Sequence, residues 1–173
     1  MFNSQFDHLI ILKKHSKIMG LDMYLTKRTY IGAEYDHNKI SGTVEIFKDG
    51  VLIPIDFKKV TYINETAGYW RKANAIHSWF VENVQEGEDD CKEYDVSMSQ
   101  LEALLNECKK VLANKSKAPK ILATKPGFFF GNQEYNEGYF EDIQDTVKFI
   151  EELLKYKTDK GYLPFDVSYC ASW

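Results

Sequence analysis

A chain of 173 residues fits one domain with a sizeable core, and its 3 Trp, 11 Tyr and 11 Phe supply large apolar areas for that core. No apolar run approaches the roughly 18 residues of a membrane-spanning helix, so none is predicted. The three cysteines, an odd number at wide spacing, do not form a disulfide framework. They indicate reduced thiols, and therefore a cytoplasmic protein.

The net charge of −4 is unevenly distributed along the chain. Residues 1–75 carry 11 Lys and Arg against 8 Asp and Glu, whereas residues 76–173 carry 11 against 18. Residues 82–95, the first acidic segment, and residues 134–152, the second acidic segment, each contain seven carboxylates and one Lys. This balance disfavours nucleic-acid binding by the C-terminal half and favours a basic protein partner. A solvated acidic surface without a partner is the alternative.

The elements predicted in chain order give an α+β fold. Residues 1–18 lack a helix cap and are interpreted as an N-terminal extension, and residues 19–173 as a single domain. Asp49-Gly50 predicts a hairpin turn, so the N-terminal half is expected to form a small antiparallel sheet. Four segments rich in β-branched and aromatic residues are its predicted strands: residues 21–31, 43–47, 51–55 and 58–63.

About three helices are predicted to pack against this sheet. The first covers residues 69–84, where apolar residues recur at helical spacing. The second begins with a capping box formed by Ser97 and Gln100. The third covers residues 139–157, and residues 165–171 are expected to close the chain as a further strand.

Ten carboxylates of the two acidic segments are the predicted partner-binding residues, because exposed carboxylates attract the Lys and Arg side chains of a partner. Five lie in the first acidic segment: Glu82, Glu86, Glu88, Asp89 and Asp90. Five lie in the second: Glu134, Glu137, Glu141, Asp142 and Asp145.

His77 and Cys91 are the candidate metal ligands. Gly87 lets the chain turn back along the first helix, which brings these two residues within reach of each other. Zinc in proteins is held by four nitrogen, sulfur or oxygen ligands, and Asp90 or Asp22 could complete such a site. The sequence has no Cys-x-x-Cys pair, and a histidine beside an apolar face is also typical of the core.

A polar pocket around His77 is the alternative to a partner-binding surface. Asp22, Arg71 and Asn74 would line it with His77, as expected of a small enzyme or a small-molecule-binding protein. No convincing nucleophile arrangement is present, so an enzyme is the less favoured interpretation. Residues 125–132 (KPGFFFGN) are interpreted as a tight turn with a buried β-segment, or alternatively as an exposed aromatic site for a partner.

Several short motifs stand out along the chain: GLDMYL at 20–25, YWRKANAIH at 69–77 with WFV at 79–81, NVQ at 83–85, Cys91 and GFFFG at 127–131. The sequence ends with Ala171-Ser172-Trp173. These motifs resemble those of a family of uncharacterised phage and prophage proteins, in which a Ser-Ser-Trp ending is common. The resemblance covers residues 19–173, which favours Met19 as the ancestral start.

The resemblance implies a mobile genetic element in a bacterial host cell. Small acidic proteins of such elements often neutralise host defence by occupying a basic nucleic-acid channel, since carboxylates can take positions meant for phosphates. The expected function is a cytoplasmic, non-enzymatic inhibitor, an anti-CRISPR that binds a type II effector such as Cas9. Neither a membrane nor a nucleic acid is an expected partner, and zinc is the one cofactor that the sequence suggests.

Overall fold

The computed structural model describes residues 20–32, 45–127 and 131–173, and the predicted N-terminal extension lies outside these ranges. The α+β class is confirmed by the strands and helices of the described residues. In chain order they are β1 (Asp22–Tyr30), β2 (Ile46–Lys48), β3 (Val51–Ile53), β4 (Tyr62–Arg71), α1 (Asn74–Asn83), β5 (Tyr94–Asp95), α2 (Met98–Ala113), α3 (Ala118–Ile121), α4 (Glu137–Leu154) and β6 (Asp166–Ser172).

The main sheet is antiparallel and has the strand order β4-β1-β6-β5. The strand predicted at 165–171 is confirmed as β6. The prediction places the sheet in the N-terminal half, but β5 and β6, which follow α1 in the chain, also belong to it. The predicted hairpin is confirmed as a separate two-stranded sheet, in which Lys48 pairs with Val51. Asp49 and Gly50 both have positive φ, 52° and 78°, as the two central residues of a type I′ turn require.

The core lies between one face of the main sheet and the helices. Alternate residues of β1, among them Met23 and Leu25, are fully buried because side chains of a strand point to opposite faces. The predicted capping box of α2 is confirmed: Ser97 accepts from the Gln100 amide, and Gln100 accepts from the Ser97 amide. The buried residues of α2 recur at helical spacing and are Leu101, Leu104, Cys108 and Val111.

The predicted start of the first helix is wrong. Tyr69, Trp70 and Arg71 belong to β4, where they pair with the first residues of β1, and α1 begins only at Asn74. Exposure along this stretch alternates, since Trp70 is buried between exposed neighbours. The strand predicted at 58–63 is displaced for the same reason, because β4 begins at Tyr62 and continues to Arg71. Apolar residues before and after the end of β4 recur at a spacing that is also typical of a helix, and this spacing led to the wrong prediction.

Candidate functional site

His77 lies in the core and is only 1% exposed. Its Nδ1 is 2.8 Å from the Tyr169 hydroxyl, and its Nε2 is 3.0 Å from Asp89 Oδ1. A carboxylate can only accept, so Nε2 carries the proton and Nδ1 accepts from Tyr169. Burial lowers the pKa of His77, although the neighbouring Asp89 carboxylate opposes this shift. His77 is therefore a neutral core residue that ties the first acidic segment to β6.

The described residues do not fit the predicted zinc site. Both ring nitrogens of His77 already have hydrogen-bond partners. Cys91 is exposed, and its carbonyl oxygen accepts from the Cys170 thiol at 3.6 Å. Over the described ranges, no group of three or more His, Cys, Asp or Glu side chains could hold a metal ion.

The first acidic segment directs part of its charge to solvent. Glu86 and Glu88 are exposed and form no ion pair with another described residue. The carboxylates of Glu86 and Glu88 are thus available to a partner. The other three predicted carboxylates have partners within the chain: Glu82 with Lys125, Asp89 with His77, and Asp90 with Lys92.

The first acidic segment borders a sheet face that carries tyrosines. Tyr24 and Tyr69 lie opposite each other on β1 and β4, with ring centroids 5.2 Å apart, and they are 40% and 44% exposed. Tyr30 and Tyr62 form a second such pair, also at 5.2 Å. We call these four residues the tyrosine face. Glu93 of the first acidic segment joins its edge, because its carboxylate pairs with Arg28 of β1 at 3.4 Å.

The second acidic segment contributes instead to a cleft between the start of α1 and the start of α4, which we call the α1–α4 cleft. Its volume is about 380 Å³. Two cations from the end of β4, Arg71 and Lys72, lie in its lining. Three of the predicted partner-binding carboxylates line it as well: Glu134, Glu141 and Asp142. Of the other two, Glu137 lies in the first turn of α4, and Asp145 pairs with Lys148.

Lys72 adopts an unusual backbone conformation beside this cleft. Its φ of 63° is in the left-handed region, which costs a residue with a Cβ about 1–2 kcal/mol. The stem of its side chain lies between two glycines, since an added Cβ would come within 3.0 Å of Lys72 Cε at Gly20 and 3.1 Å of its Cβ at Gly131. The N-cap residue of α1, Ala73, supplies no side-chain hydrogen bond.

Asn74 connects the cleft to residues 125–132. Its side chain is buried, and its Nδ2 donates to the Asn132 carbonyl at 2.8 Å. Its Oδ1 accepts from the Lys125 amide at 3.2 Å. One side chain therefore holds both ends of the KPGFFFGN segment. Phe128, Phe129 and Phe130 lie outside the described residues, so the aromatic-site hypothesis for this segment stays a prediction.

Asp142 is half-buried on α4. Burial raises the pKa of Asp142 to about 7, and the nearby charges of Asp145 and Glu141 add to the shift. The same turn of α4 is held to the sheet, because Trp70 Nε1 donates to Thr146 Oγ1 at 2.9 Å. A carboxyl group that titrates near neutrality in a cleft is a common mark of a functional site.

The polar pocket predicted around His77 is only partly found. Arg71 and Asn74 line the α1–α4 cleft, whereas His77 is buried away from it and Asp22 is outside its lining. Asp22 instead accepts from the Tyr69 hydroxyl at 2.5 Å and pairs with Arg71 Nε at 3.8 Å. From the sequence, Asp142 is expected on the surface, and the tyrosine face is not singled out. The alternation of buried Met23 and Leu25 with Asp22 and Tyr24 at the start of β1 is the signal that would have indicated the latter.

No family model, curated protein or solved structure matches this chain. The resemblance to phage and prophage proteins thus stays a prediction. Within the described ranges, every helix is too short or too polar to cross a membrane.

Proposed function

We propose that this chain is a non-enzymatic binding protein that inhibits a bacterial defence effector, acting as an anti-CRISPR on a type II effector such as Cas9. One observation carries the proposal: the exposed carboxylates of Glu86 and Glu88 have no described ion-pair partner and lie in the segment that borders the tyrosine face. The resemblance to phage and prophage proteins supplies the biological setting.

The chemistry of this surface suits a basic protein partner. Tyrosines contribute large contact areas at little conformational cost, and they are enriched where binding energy concentrates. Their rings also attract cations, as Arg28 shows at 5.8 Å from the ring centroid of Tyr62. Exposed carboxylates of the adjoining acidic segment steer Lys and Arg side chains toward this part of the protein and compete there with nucleic-acid phosphates.

The test is binding to purified Cas9 with its guide RNA, together with inhibition of target-DNA cleavage. We expect the double variant Glu86→Lys, Glu88→Lys to lower the affinity for Cas9 about tenfold or more, because it reverses two steering charges. The matched control is Glu134→Lys with Glu137→Lys, which makes the same charge change in the second acidic segment. These two carboxylates are also among the predicted partner-binding residues, but they lie at the α1–α4 cleft and at the start of α4, so the proposal places them outside the interface and expects a change in affinity of less than about twofold.

The salt dependence of binding and the effect of tyrosine substitutions provide two further tests. Raising the salt concentration should weaken the complex, since exposed charges are screened. Replacement of Tyr24 and Tyr69 by alanine should weaken the complex without removing this salt dependence. A chain that neither binds Cas9 nor inhibits cleavage, or a complex that the Glu86 and Glu88 variant leaves unchanged, contradicts the proposal.

A further inference from the structure

The α1–α4 cleft has no part in the proposed function, yet it is a concave site with side chains of both charges. We propose that it binds a small zwitterion, a molecule that carries an anionic group at one end and an amino group at the other. The anionic end would lie against Lys72 and Arg71, and the amino end against Glu141 and Asp142 of α4.

The size of the cleft suits such a ligand. Its volume of about 380 Å³ falls in the range of small-molecule pockets in proteins, which is about 300–1,000 Å³. It is polar around a small apolar floor, where Ile76 and Ile143 contribute to the lining. Polar groups in a concave site fix the orientation of a small ligand, whereas the apolar floor adds contact area.

The cationic side of the cleft is built from Lys72 and Arg71. Lys72 forms no ion pair with another described residue, so its ammonium group is available to an anion. Arg71 is shared with Asp22, at 3.8 Å from its Nε. The adjoining start of α1, which no side chain caps, adds the positive end of a helix dipole to this side.

The anionic side is built from α4 and the chain before it. Glu141 is exposed, Asp142 is half-buried beside it, and Glu134 approaches from the preceding loop. Ionisation of Asp142 is unfavourable because of its burial. A bound ammonium group would favour the ionised form, so ligand binding and loss of the Asp142 proton are expected to be coupled.

A ligand with a single charge would meet opposite charges on only one side of the cleft. A simple anion would face the carboxylates of Glu134, Glu141 and Asp142, and a simple cation would face Lys72 and Arg71. Like charges repel, whereas a zwitterion in one orientation meets an opposite charge at each end. The two sets of charges therefore select for a ligand that carries both.

The experiment uses three probes in ligand-observed NMR titrations at millimolar concentration: 2-aminoethyl phosphate, inorganic phosphate and ethanolamine. The first carries both charged groups, and the other two each carry one. We expect 2-aminoethyl phosphate to bind at least about tenfold more tightly than either single-charge probe, because both ends are paired at once. Equal affinity for 2-aminoethyl phosphate and phosphate would contradict the zwitterion, and no binding of any probe would overturn the site.

Two variants locate the site. Lys72→Met should lower the affinity for 2-aminoethyl phosphate about tenfold and leave ethanolamine binding unchanged. Glu141→Gln should lower the affinity for both amino-bearing probes and leave phosphate binding no weaker. The matched controls, Lys148→Met and Glu152→Gln, remove the same charges from α4 outside the cleft lining and should have no effect. Circular dichroism checks that each variant is folded, and unchanged binding in both cleft variants would refute the assignment.

A pH series of binding measurements distinguishes the contribution of Asp142 to ligand affinity from the contributions of its charged neighbours. Between pH 6 and pH 8, we expect the affinity for 2-aminoethyl phosphate to rise as Asp142 becomes ionised. The probe phosphate titrates too, so Asp142→Asn serves as the reference and should show the smaller rise. The other charged groups around Asp142, which are Arg71, Lys72, Glu134, Glu141 and Asp145, are common to both proteins. An identical rise in the two proteins would contradict the role of Asp142.

None of these measurements of ligand binding involves Cas9, so their outcome is independent of the proposed inhibition.

Discussion

The two acidic segments have the same number of carboxylates and a single Lys each, yet they occupy different physical environments. The first is a surface segment that His77 anchors through Asp89, and its Glu86 and Glu88 face solvent. The second flanks the α1–α4 cleft, and its Asp142 is half-buried with a pKa of about 7. The difference teaches that burial and local partners, rather than the number of acidic residues, decide what a carboxylate can do.

The anchor of the first acidic segment gives the largest expected effect. His77→Ala should lower the free energy of unfolding by about 3 kcal/mol, since it leaves a cavity and removes the partner of the buried Tyr169 hydroxyl. Urea unfolding followed by tryptophan fluorescence measures this change. The control, Asp89→Asn, keeps an acceptor for Nε2 and should cost less than about 1 kcal/mol.

The pH dependence of this anchor has a defined sign. Because burial lowers the pKa of His77 below its ordinary value of 6.5, the unfolded chain binds the proton more readily than the folded chain. The stabilisation is fully present above about pH 6.5 and is lost as the pH falls. His77→Ala should therefore cost more at pH 8 than at pH 5, and an equal cost at both would contradict the buried neutral ring.

The second acidic segment should respond to pH in the opposite sense. The pKa of Asp142 is raised from 3.8 to about 7, so ionisation costs the folded chain stability as the pH rises through this range. Asp142→Asn removes that cost and should stabilise the protein by about 1–2 kcal/mol at pH 8, a value reduced because the group is partly exposed. The gain should vanish near pH 4. Urea unfolding at both pH values tests this, and a loss of stability at pH 8 would show that Asp142 is needed in its charged form.

The exposed carboxylates should give the smallest effect on stability. Glu86→Gln with Glu88→Gln is expected to change the free energy of unfolding by less than about 0.5 kcal/mol, because both side chains face solvent without a described partner. Thermal unfolding measures it. A larger loss would mean that these charges support the fold, and the contrast between the two acidic segments would then be weaker than the geometry indicates.

Local signals in the sequence predict those parts of the fold that depend on neighbouring residues. The α2 cap requires Ser97 and Gln100 alone, and the hairpin turn requires Asp49-Gly50 alone, so both predictions are confirmed. The end of β4 depends on pairing with β1, about 45 residues earlier in the chain, and a local helical spacing conceals it. Trp70 is buried whether it lies in a helix or in a strand. The sequence therefore predicts which residues lie in the core better than it predicts their secondary structure.

The candidate site also contains one part that local sequence signals predict and another that they do not. Arg71, Lys72 and Asn74 are close together in the sequence, so their polar cluster is evident from the sequence itself. Asp142 is an acidic residue on an amphipathic helix, a position typical of the surface. Its burial arises where the start of α1 approaches α4, a tertiary contact that no local pattern encodes.

Asn74 has a consequence for protein engineering. Its two hydrogen bonds reach main-chain atoms at Lys125 and Asn132, and main-chain atoms are the same whatever residues lie between them. The side chain at position 132 can therefore be varied without loss of its hydrogen bond to Asn74, whereas Gly131 cannot, because a Cβ there would lie 3.1 Å from Lys72 Cβ. Asn132 lines the cleft, so a library at this position that retains Asn74 offers a direct route to changing ligand preference.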